Sequence, residues 1–535
     1  MSIKSTYISA ISLFKNNSRL KFKIIFGFLF SATAIVISFQ NCQKNSFAGR
    51  ENLEKSIENN SSSTASTTTT TTPFWFNELN SEKSITPSKV AVDANGNSYV
   101  VGSQIINDGL SKVALLAKFN PVGVLQWQKK LEENPNEIIN GKGLVISTVG
   151  NIYLSGTITS PPVSGVPSVN SIFLTKLDNS GNLIWQRLLT DSKPINISIS
   201  NSLILDPNEN VYLPTVNTII KYNSKGELQW QRSIPDETIK PYKGYDYGNF
   251  KTTIRDILID SKGNIIANGY LNISESNTSG GTPRNSNYQS LFKIDPDGNL
   301  LKQKKFSMDE SPDDPPSTTI EGSGKLAIDS FDNLYTVTTK TEPIDANLNA
   351  QYIIKFDPDW NLLANESYFT GKCLVSQTLN VSGPGQFVIH LDHSDNIVIG
   401  GVCGSEAYLF KLSNTGTLSW KRKLDGDFTI AINSLDADSS GNVLFAGTTT
   451  TINPNIMVGK IPSDGSLAGD IFLNNYKFSY AGSVLDLSPV NPTNFKYSIT
   501  DNDRTLESGT LSDAPGTIIL SNNSANNDLV NLQEK

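Results

Sequence analysis

A unit of four short apolar runs recurs along most of this chain and constrains its fold more than any other feature. The clearest copy spans residues 386–424. Its runs are rich in β-branched and aromatic residues, as β-strands are, and cover residues 387–391, 397–402, 408–412 and 418–424. Segments of Asp, Asn, Ser and Gly separate the first run from the second and the third from the fourth. Such residues tolerate positive φ or bond their own backbone, so both segments predict tight hairpin turns.

Both turns recur seven times, and the two kinds always alternate. The first kind reads DANGN (93–97), STVGN (147–151), DPNEN (206–210), DSKGN (260–264), DSFDN (329–333), DHSDN (392–396) and DSSGN (438–442). The second kind follows a lysine each time, at Lys118, Lys176, Lys221, Lys293, Lys355, Lys411 and Lys460. First turns start 46 to 69 residues apart, which suits four-stranded blades with loops of variable length. The sequence therefore predicts an all-β fold, a seven-bladed β-propeller of four-stranded antiparallel blades.

The two turns with their flanking strands resemble the β-propeller repeat of bacterial surface and secreted proteins. The shared pattern, D-x-x-G-N-x-Y followed by K-x-D-x-x-G-x-L-x-W, covers about residues 74–474. It departs from that repeat at Lys302, Ala364 and Gly469, where the tryptophan is missing. The chain is similar, more loosely, to quinoprotein-type propellers. The resemblance implies a propeller-repeat lipoprotein.

The repeated tryptophans are expected to pack blade against blade rather than to hold a cofactor; they are Trp127, Trp185, Trp230 and Trp420. Trp75 lies before the first complete unit and resembles a detached fourth strand, whereas the last unit lacks its own tryptophan. We therefore expect the N-terminal strand to close the ring by pairing into the last blade, which removes exposed sheet edges. The propeller is assigned to residues 74–479, and residues 480–535 to a C-terminal β appendage and polar tail.

The N-terminus has the layout of a bacterial lipoprotein signal. Five basic residues and no acid accompany an apolar run at residues 24–39, and Cys42 follows. Asn41 departs from the Gly or Ala that usually precedes the lipidated cysteine, so an uncleaved membrane anchor is the alternative. We expect residues 1–41 to be a signal peptide, and Cys42 to carry a lipid that attaches the protein to the outer membrane. The sequence leaves open whether it faces the cell surface or the periplasm.

Residues 43–73 include the run SSSTASTTTTTT and are predicted to be a disordered linker, because they contain few apolar residues. Loss of the signal peptide would change the formal net charge from −7 to −12. An acidic chain is a poor partner for nucleic acid, so we expect none. We also expect a monomer. Apart from Cys42, the chain has two cysteines, Cys373 and Cys403, which an exported protein would expose to an oxidising compartment. The sequence does not decide between a disulfide and two separate thiols.

The longest and most variable loops are expected on one face of the propeller, opposite the regular turns. Function on a rigid scaffold concentrates in such loops, so this long-loop face is the predicted binding face. Its most distinctive segment, KPYKGYDYGNF, holds the candidate ligand-binding residues Tyr242, Tyr245, Tyr247 and Phe250. Tyrosines with small neighbours suit sugars or protein surfaces. The alternative is that these rings cover a blade edge.

Catalysis is weakly supported, and the sequence predicts no catalytic residue, metal site or cofactor. The two histidines, His390 and His393, lack a nucleophile motif and metal-ligand spacing. The string from Asp436 to Gly441 looks like the opening of a calcium loop, but Gly447 occupies the position of its final acid.

The sequence favours an exported, tethered propeller that binds or scaffolds an unidentified protein or carbohydrate. A periplasmic assembly factor, similar to the propeller lipoprotein of outer-membrane barrel insertion, is the second hypothesis. An enzyme that acts on polysaccharide or uses a quinone is the third.

Overall fold

A computed structural model of the chain describes residues 74–532, apart from 80–82, 107–110, 133–136, 162–168, 191–198, 235–236, 239–244, 247–248, 251, 278–283, 308–323, 342–347, 364–367, 375–386, 404–405, 426–429, 450–453, 467–468, 474–475, 482–487, 490–497, 502–506, 509–511, 516–518 and 523–529. Every regular element in this part of the chain is a β-strand. No helix long and apolar enough to cross a membrane occurs in the described residues. The predicted all-β, antiparallel fold is confirmed.

Most strands form groups of four, each an antiparallel sheet in chain order. Group 1 contains β2 (Ile85–Val92), β3 (Ser98–Ile106), β4 (Ser111–Phe119) and β5 (Leu125–Glu132). Group 2 contains β6 (Ile138–Ile146), β7 (Ile152–Ser160), β8 (Val169–Leu177) and β9 (Leu183–Thr190). Group 3 contains β10 (Ile204–Leu205), β11 (Val211–Pro214), β12 (Thr218–Tyr222) and β13 (Leu228–Ser233). A single parallel pair, Lys112 with Ile138, links groups 1 and 2.

The remaining groups repeat this pattern. Group 4 contains β17 (Thr252–Ile259), β18 (Ile265–Asn277), β19 (Arg284–Ile294) and β20 (Leu300–Ser307). Group 5 contains β21 (Leu326–Ile328), β22 (Leu334–Thr341), β23 (Leu348–Phe356) and β24 (Tyr368–Leu374). Group 6 contains β25 (Val388–Leu391), β26 (Ile397–Cys403), β27 (Glu406–Leu412) and β28 (Leu418–Asp425). In group 7, β29 (Ile430–Ala437), β30 (Val443–Thr449) and β31 (Ile456–Ile461) are joined by β1 (Trp75–Leu79), which pairs with β31.

In every group except group 2, the first turn is closed by its own aspartate. In group 1 Asp93 Oδ1 accepts from the backbone N–H groups of Asn95 and Asn97, both at 2.9 Å. The other oxygen accepts from Asn97 Nδ2 at 2.8 Å and from the Tyr99 hydroxyl at 3.0 Å. Gly96 takes φ +78°, which a residue without Cβ adopts at little cost. These local bonds explain why the turn recurs as D-x-x-G-N.

The repeated lysine links the two turns of a group. Its ammonium pairs with the first-turn aspartate in Lys293–Asp260 at 2.7 Å and Lys411–Asp392 at 2.8 Å. In group 1 the Lys118 ammonium lies 5.1 Å from the centroid of the Tyr99 ring. A buried ammonium needs such partners to offset its lost hydration.

The apolar core lies between the groups. Each hydrophobic cluster of the described residues joins two groups that are neighbours in chain order, except one that joins group 7 to group 1. In that exception Trp75 and Val458 pack with Val100 and Phe119. The first strands also contact one another, in the pairs β2–β6, β10–β17, β17–β21, β21–β25, β25–β29 and β29–β2.

The C-terminal residues form short strands that are distributed over all the groups. They are β32 (Gly469–Leu473), β33 (Tyr476–Ala481), β34 (Ser488–Pro489), β35 (Ser498–Asp501), β36 (Glu507–Ser508), β37 (Ser512–Pro515), β38 (Ile519–Asn522) and β39 (Val530–Leu532). From β33 to β39 each pairs with the last strand of one group, in the order 6, 5, 4, 3, 2, 1 and 7. We call residues 476–532 the C-terminal belt. It places a fifth strand on edges that four strands would leave open.

Candidate functional site

A described part of the predicted aromatic loop pairs with the longest hairpin of the described residues. Tyr242 and Tyr247 lie outside the described residues. Tyr245 belongs to β15 (Tyr245–Asp246), which pairs with the far end of β18, and Phe250 belongs to β16 (Asn249–Phe250), which pairs with β14 (Glu237–Thr238). The structure thus places Tyr245 beside group 4 but does not test the role of these residues in binding.

The repeated tryptophans lie at the junctions between groups. Trp185 Nε1 donates to Ser224 O at 3.0 Å, and a Cβ on Gly226 would lie 2.7 Å from its ring. Gly226 therefore has to be glycine for the indole to lie against the turn. The same contact joins Trp75 to Gly123, Trp127 to Gly181, Trp230 to Gly298 and Trp420 to Gly465. Through Trp75 it connects group 7 to group 1.

The predicted disulfide and lipidation sites remain untested. Cys373 belongs to β24 and pairs in register with Asn349, whereas Cys403 belongs to β26 and pairs with Glu406. Cys42 and residues 43–73 lie outside the described part of the chain.

Four residues other than glycine have positive φ in the described structure, and each contacts the preceding group. They are Glu209, Asp332, Trp360 and Asp395, with φ between 58° and 64°. Asp332 accepts from the backbone N–H and hydroxyl of Ser261 at 2.8 and 2.6 Å. Asp395 accepts from the same two groups of Ser330 at 3.0 and 2.5 Å. The contact between groups offsets the cost of a left-handed backbone.

Glu209 supplies a carboxylate that group 2 lacks. The first turn of group 2 has Ser147 where most groups have aspartate. Glu209 Oε2 instead accepts from Lys176 Nζ at 2.7 Å and from the Tyr153 hydroxyl at 3.0 Å, and Oε1 from Asn151 Nδ2 at 3.1 Å. Burial by itself raises the pKa of Glu209, but these hydrogen bonds outweigh it and lower the pKa to about 2.

Trp360 makes an analogous replacement at the junction of groups 4 and 5. Lys302 pairs in register with the repeated lysine of group 4, Lys293. In other groups a tryptophan occupies the position of Lys302, as Trp230 does opposite Lys221. Trp360 replaces the turn glycine of group 5 and is 1% exposed. The Lys302 ammonium lies 5.4 Å from its ring centroid and donates to Asp359 O at 2.6 Å. Here the indole belongs to the following group, group 5, whereas at the other junctions with a tryptophan it belongs to the preceding group.

The sequence analysis did not predict that six polar residues on the first strands, or within two residues before them, form a cluster. It consists of Lys89, Ser202, Asp256, Lys325, His390 and Asp436, and we call it the first-strand cluster. Lys89 and Asp256 directly follow β-bulges, which redirect side chains. One sequence signal was available: Lys89, Asp256 and Lys325 each stand four residues before a first-turn aspartate, within runs that are otherwise largely apolar.

The two carboxylates of the first-strand cluster connect neighbouring groups. Asp256 accepts from the Ser202 hydroxyl and, at 2.8 Å, from the backbone N–H of Leu326. Asp436 accepts from the backbone N–H groups of Val92 and Ala437, both at 2.8 Å. Groups 3, 4 and 5 thus meet at one carboxylate, and groups 7 and 1 at the other.

A lysine and a histidine of the cluster lie beside these carboxylates. Lys325 Nζ lies 4.0 Å from Asp256 Oδ1, and His390 Nε2 lies 3.4 Å from Asp436 Oδ1. Burial lowers the pKa of Lys89, and the nearby positive charge of Lys325 lowers it further. Burial also lowers the pKa of His390, against the opposing effect of Asp436. No set of three metal-ligating side chains occurs in the described structure.

The comparison with protein-family models finds a repeat near the start of the described chain. The family model described as Beta-propeller repeat matches residues 75–105. The chain carries a beta-propeller repeat. The predicted resemblance is therefore confirmed. No curated protein matches the chain in sequence.

Solved structures of low sequence identity resemble the chain. A protein of unknown function from Bacteroides caccae is 13% identical, covers 57% of this chain and 89% of its own, and has a TM-score of 0.30. The Pan2 WD40 domain of Neurospora crassa is 8% identical, with 70% and 89% covered and a TM-score of 0.36. YCF48 from Cyanidioschyzon merolae is 12% identical, with 72% and 98% covered and a TM-score of 0.37.

Proposed function

We propose that the protein is a closed, seven-bladed propeller that acts as an exported binding or scaffold module for a protein or carbohydrate. The packing of group 7 against group 1 through Trp75 supports closure, because the same contact joins successive groups elsewhere. The contacts between first strands support it independently. A closed ring with interlocked blades is a rigid scaffold on which variable loops are held in place.

The elaboration of group 4 is the observation that carries the binding proposal. Among the described residues, β14, β15 and β16 lie outside the four-strand pattern and precede this group, and β15 extends the sheet at the end of β18. Tyr245 is thus fixed on a strand. We propose that Tyr242, Tyr245, Tyr247 and Phe250 form the ligand-binding surface.

Tethering to the outer membrane through Cys42 is the second part of the proposal, and the N-terminal sequence supports it. Residues 43–73 would hold the propeller away from the lipid surface. Addition of protease to intact cells tests this arrangement, because the linker is an accessible target. Cleavage would indicate a surface-exposed binder, whereas cleavage only after the outer membrane is opened would favour a periplasmic partner.

The Cys42→Ala variant tests lipidation. It should abolish incorporation of a labelled fatty acid, and labelling that persists would refute lipidation there.

A glycan array and a panel of purified envelope proteins would test binding directly. We expect the wild-type protein to bind one of these probes and the Tyr242→Ala, Tyr245→Ala double variant to lose that binding with an unchanged melting temperature. Retained binding would exclude this surface. A large fall in melting temperature would show that the rings pack against the blade edge.

A further inference from the structure

The carboxylates of the first-strand cluster have hydrogen-bond partners within the protein, whereas one of its ammonium groups has none among the described residues. Each carboxylate oxygen of Asp256 and Asp436 already accepts a hydrogen bond from the protein. Lys89 differs, because no described residue lies within hydrogen-bonding or ion-pair distance of its ammonium. The charges of Lys325, Asp256 and Asp436 act on it only from farther away. The Lys89 ammonium is therefore the donor of this cluster for which the described residues supply no acceptor.

Solvent reaches this cluster although it lies where the first strands of different groups contact one another. Lys89 is half-buried, and the side chains of His390 and Lys325 are 30% and 24% exposed. A partly desolvated ammonium that lacks a counter-ion is unfavourable and gains most from an anion within hydrogen-bonding distance. A cation would gain less, because the positive charges of Lys89 and Lys325 oppose it.

We propose that the first-strand cluster binds a small oxyanion, a carboxylate or phosphate group, with Lys89 as its charged ligand. The ammonium offers three N–H donors, which suits the two or three acceptor oxygens of such a group. Lys325 borders the site, and its positive charge favours an anion over a neutral ligand. This site is separate from the aromatic surface of group 4 and does not depend on that proposal.

Calorimetric titration with inorganic phosphate, sulfate and acetate tests the proposal. We expect one-to-one binding to the wild-type protein, and the preferred anion distinguishes a phosphate site from a carboxylate site. Lys89→Met keeps the aliphatic stem but removes the charge and should weaken binding about tenfold or more, as loss of a charge-assisted hydrogen bond does. Lys89→Arg should retain binding. Lys225→Met, which removes an exposed turn lysine, is the matched control and should bind like the wild type.

Protection from acetylation tests the site in the unaltered protein and does not depend on the folding of a variant. The bound anion should slow acetylation of Lys89, measured by mass spectrometry, and leave that of Lys225 unchanged. Equal affinity in the wild type and Lys89→Met, no binding of any of the three anions, or equal acetylation with and without anion would each overturn the proposal.

Discussion

Exchanging the residues at the junction of groups 4 and 5 tests whether Trp360 replaces a tryptophan that group 4 lacks. The double variant Lys302→Trp, Trp360→Gly would restore the arrangement of the other junctions, in which the indole belongs to the preceding group. The comparison requires both single variants, so that the interaction between the two positions is measured separately from their individual effects.

The single variants should both be destabilised. Loss of a buried tryptophan costs about 3–5 kcal/mol. Because Trp360 has φ +59°, glycine there recovers about 1–2 kcal/mol of backbone strain, which leaves a net cost of about 1–4 kcal/mol. Lys302→Trp alone places a second indole beside a side chain that is 1% exposed, and overpacking typically costs about 1–3 kcal/mol.

The double variant should lose less free energy of unfolding than the sum of the losses in the two single variants. Its indole would fill the space vacated by Trp360 and lie over a turn glycine, as Trp230 lies over Gly298. We expect a favourable coupling free energy of about 2 kcal/mol or more. Urea denaturation followed by far-UV circular dichroism measures it without relying on tryptophan fluorescence. Simple additivity of the two single variants would refute the reasoning that the two indoles are equivalent.

Three further predictions concern contacts between groups. Glu209→Gln should lower the free energy of unfolding at pH 7 by about 1–3 kcal/mol. Since the folded-state pKa of about 2 lies below the unfolded value near 4.5, this difference from wild type should be present above pH 4.5 and disappear as the pH falls towards 2. A pH-independent difference in urea titrations would contradict this. Asp332→Asn, which tolerates positive φ, should destabilise by about 1 kcal/mol through its weaker bonds to Ser261, whereas an unchanged urea midpoint would show that the contact contributes nothing. Truncation after Ala481, which removes β34 to β39, should leave a folded chain that self-associates through open strand edges in light scattering, and a monomer would argue against the belt as an edge cover.

The sequence allowed the aromatic segment to be recognised as a candidate site but did not reveal the first-strand cluster. The aromatic loop was recognisable because its residues are adjacent in the chain, although its role still requires the binding experiment. The first-strand cluster was not recognised, because its members are scattered from Lys89 to Asp436 and meet only where the first strands of different groups converge. Their charged residues in apolar runs were the only local sign.

The sequence by itself determined the repeating architecture, because its turns are built from bonds within about five residues. Asp93 closes its own turn onto Asn97, and the same pattern predicts a hairpin wherever it recurs. The all-β, antiparallel fold and the propeller repeat followed from that local chemistry.

Only the tertiary structure decided how irregular positions are compensated. Glu209 serves group 2 from group 3, and Trp360 fills the junction that Lys302 leaves without an indole. In the sequence both appear as departures from the glycine that the turn favours. Each exchange joins residues more than thirty positions apart, as do the pairings of the C-terminal belt. Such contacts depend on which groups lie side by side, and short-range residue patterns carry no information about that.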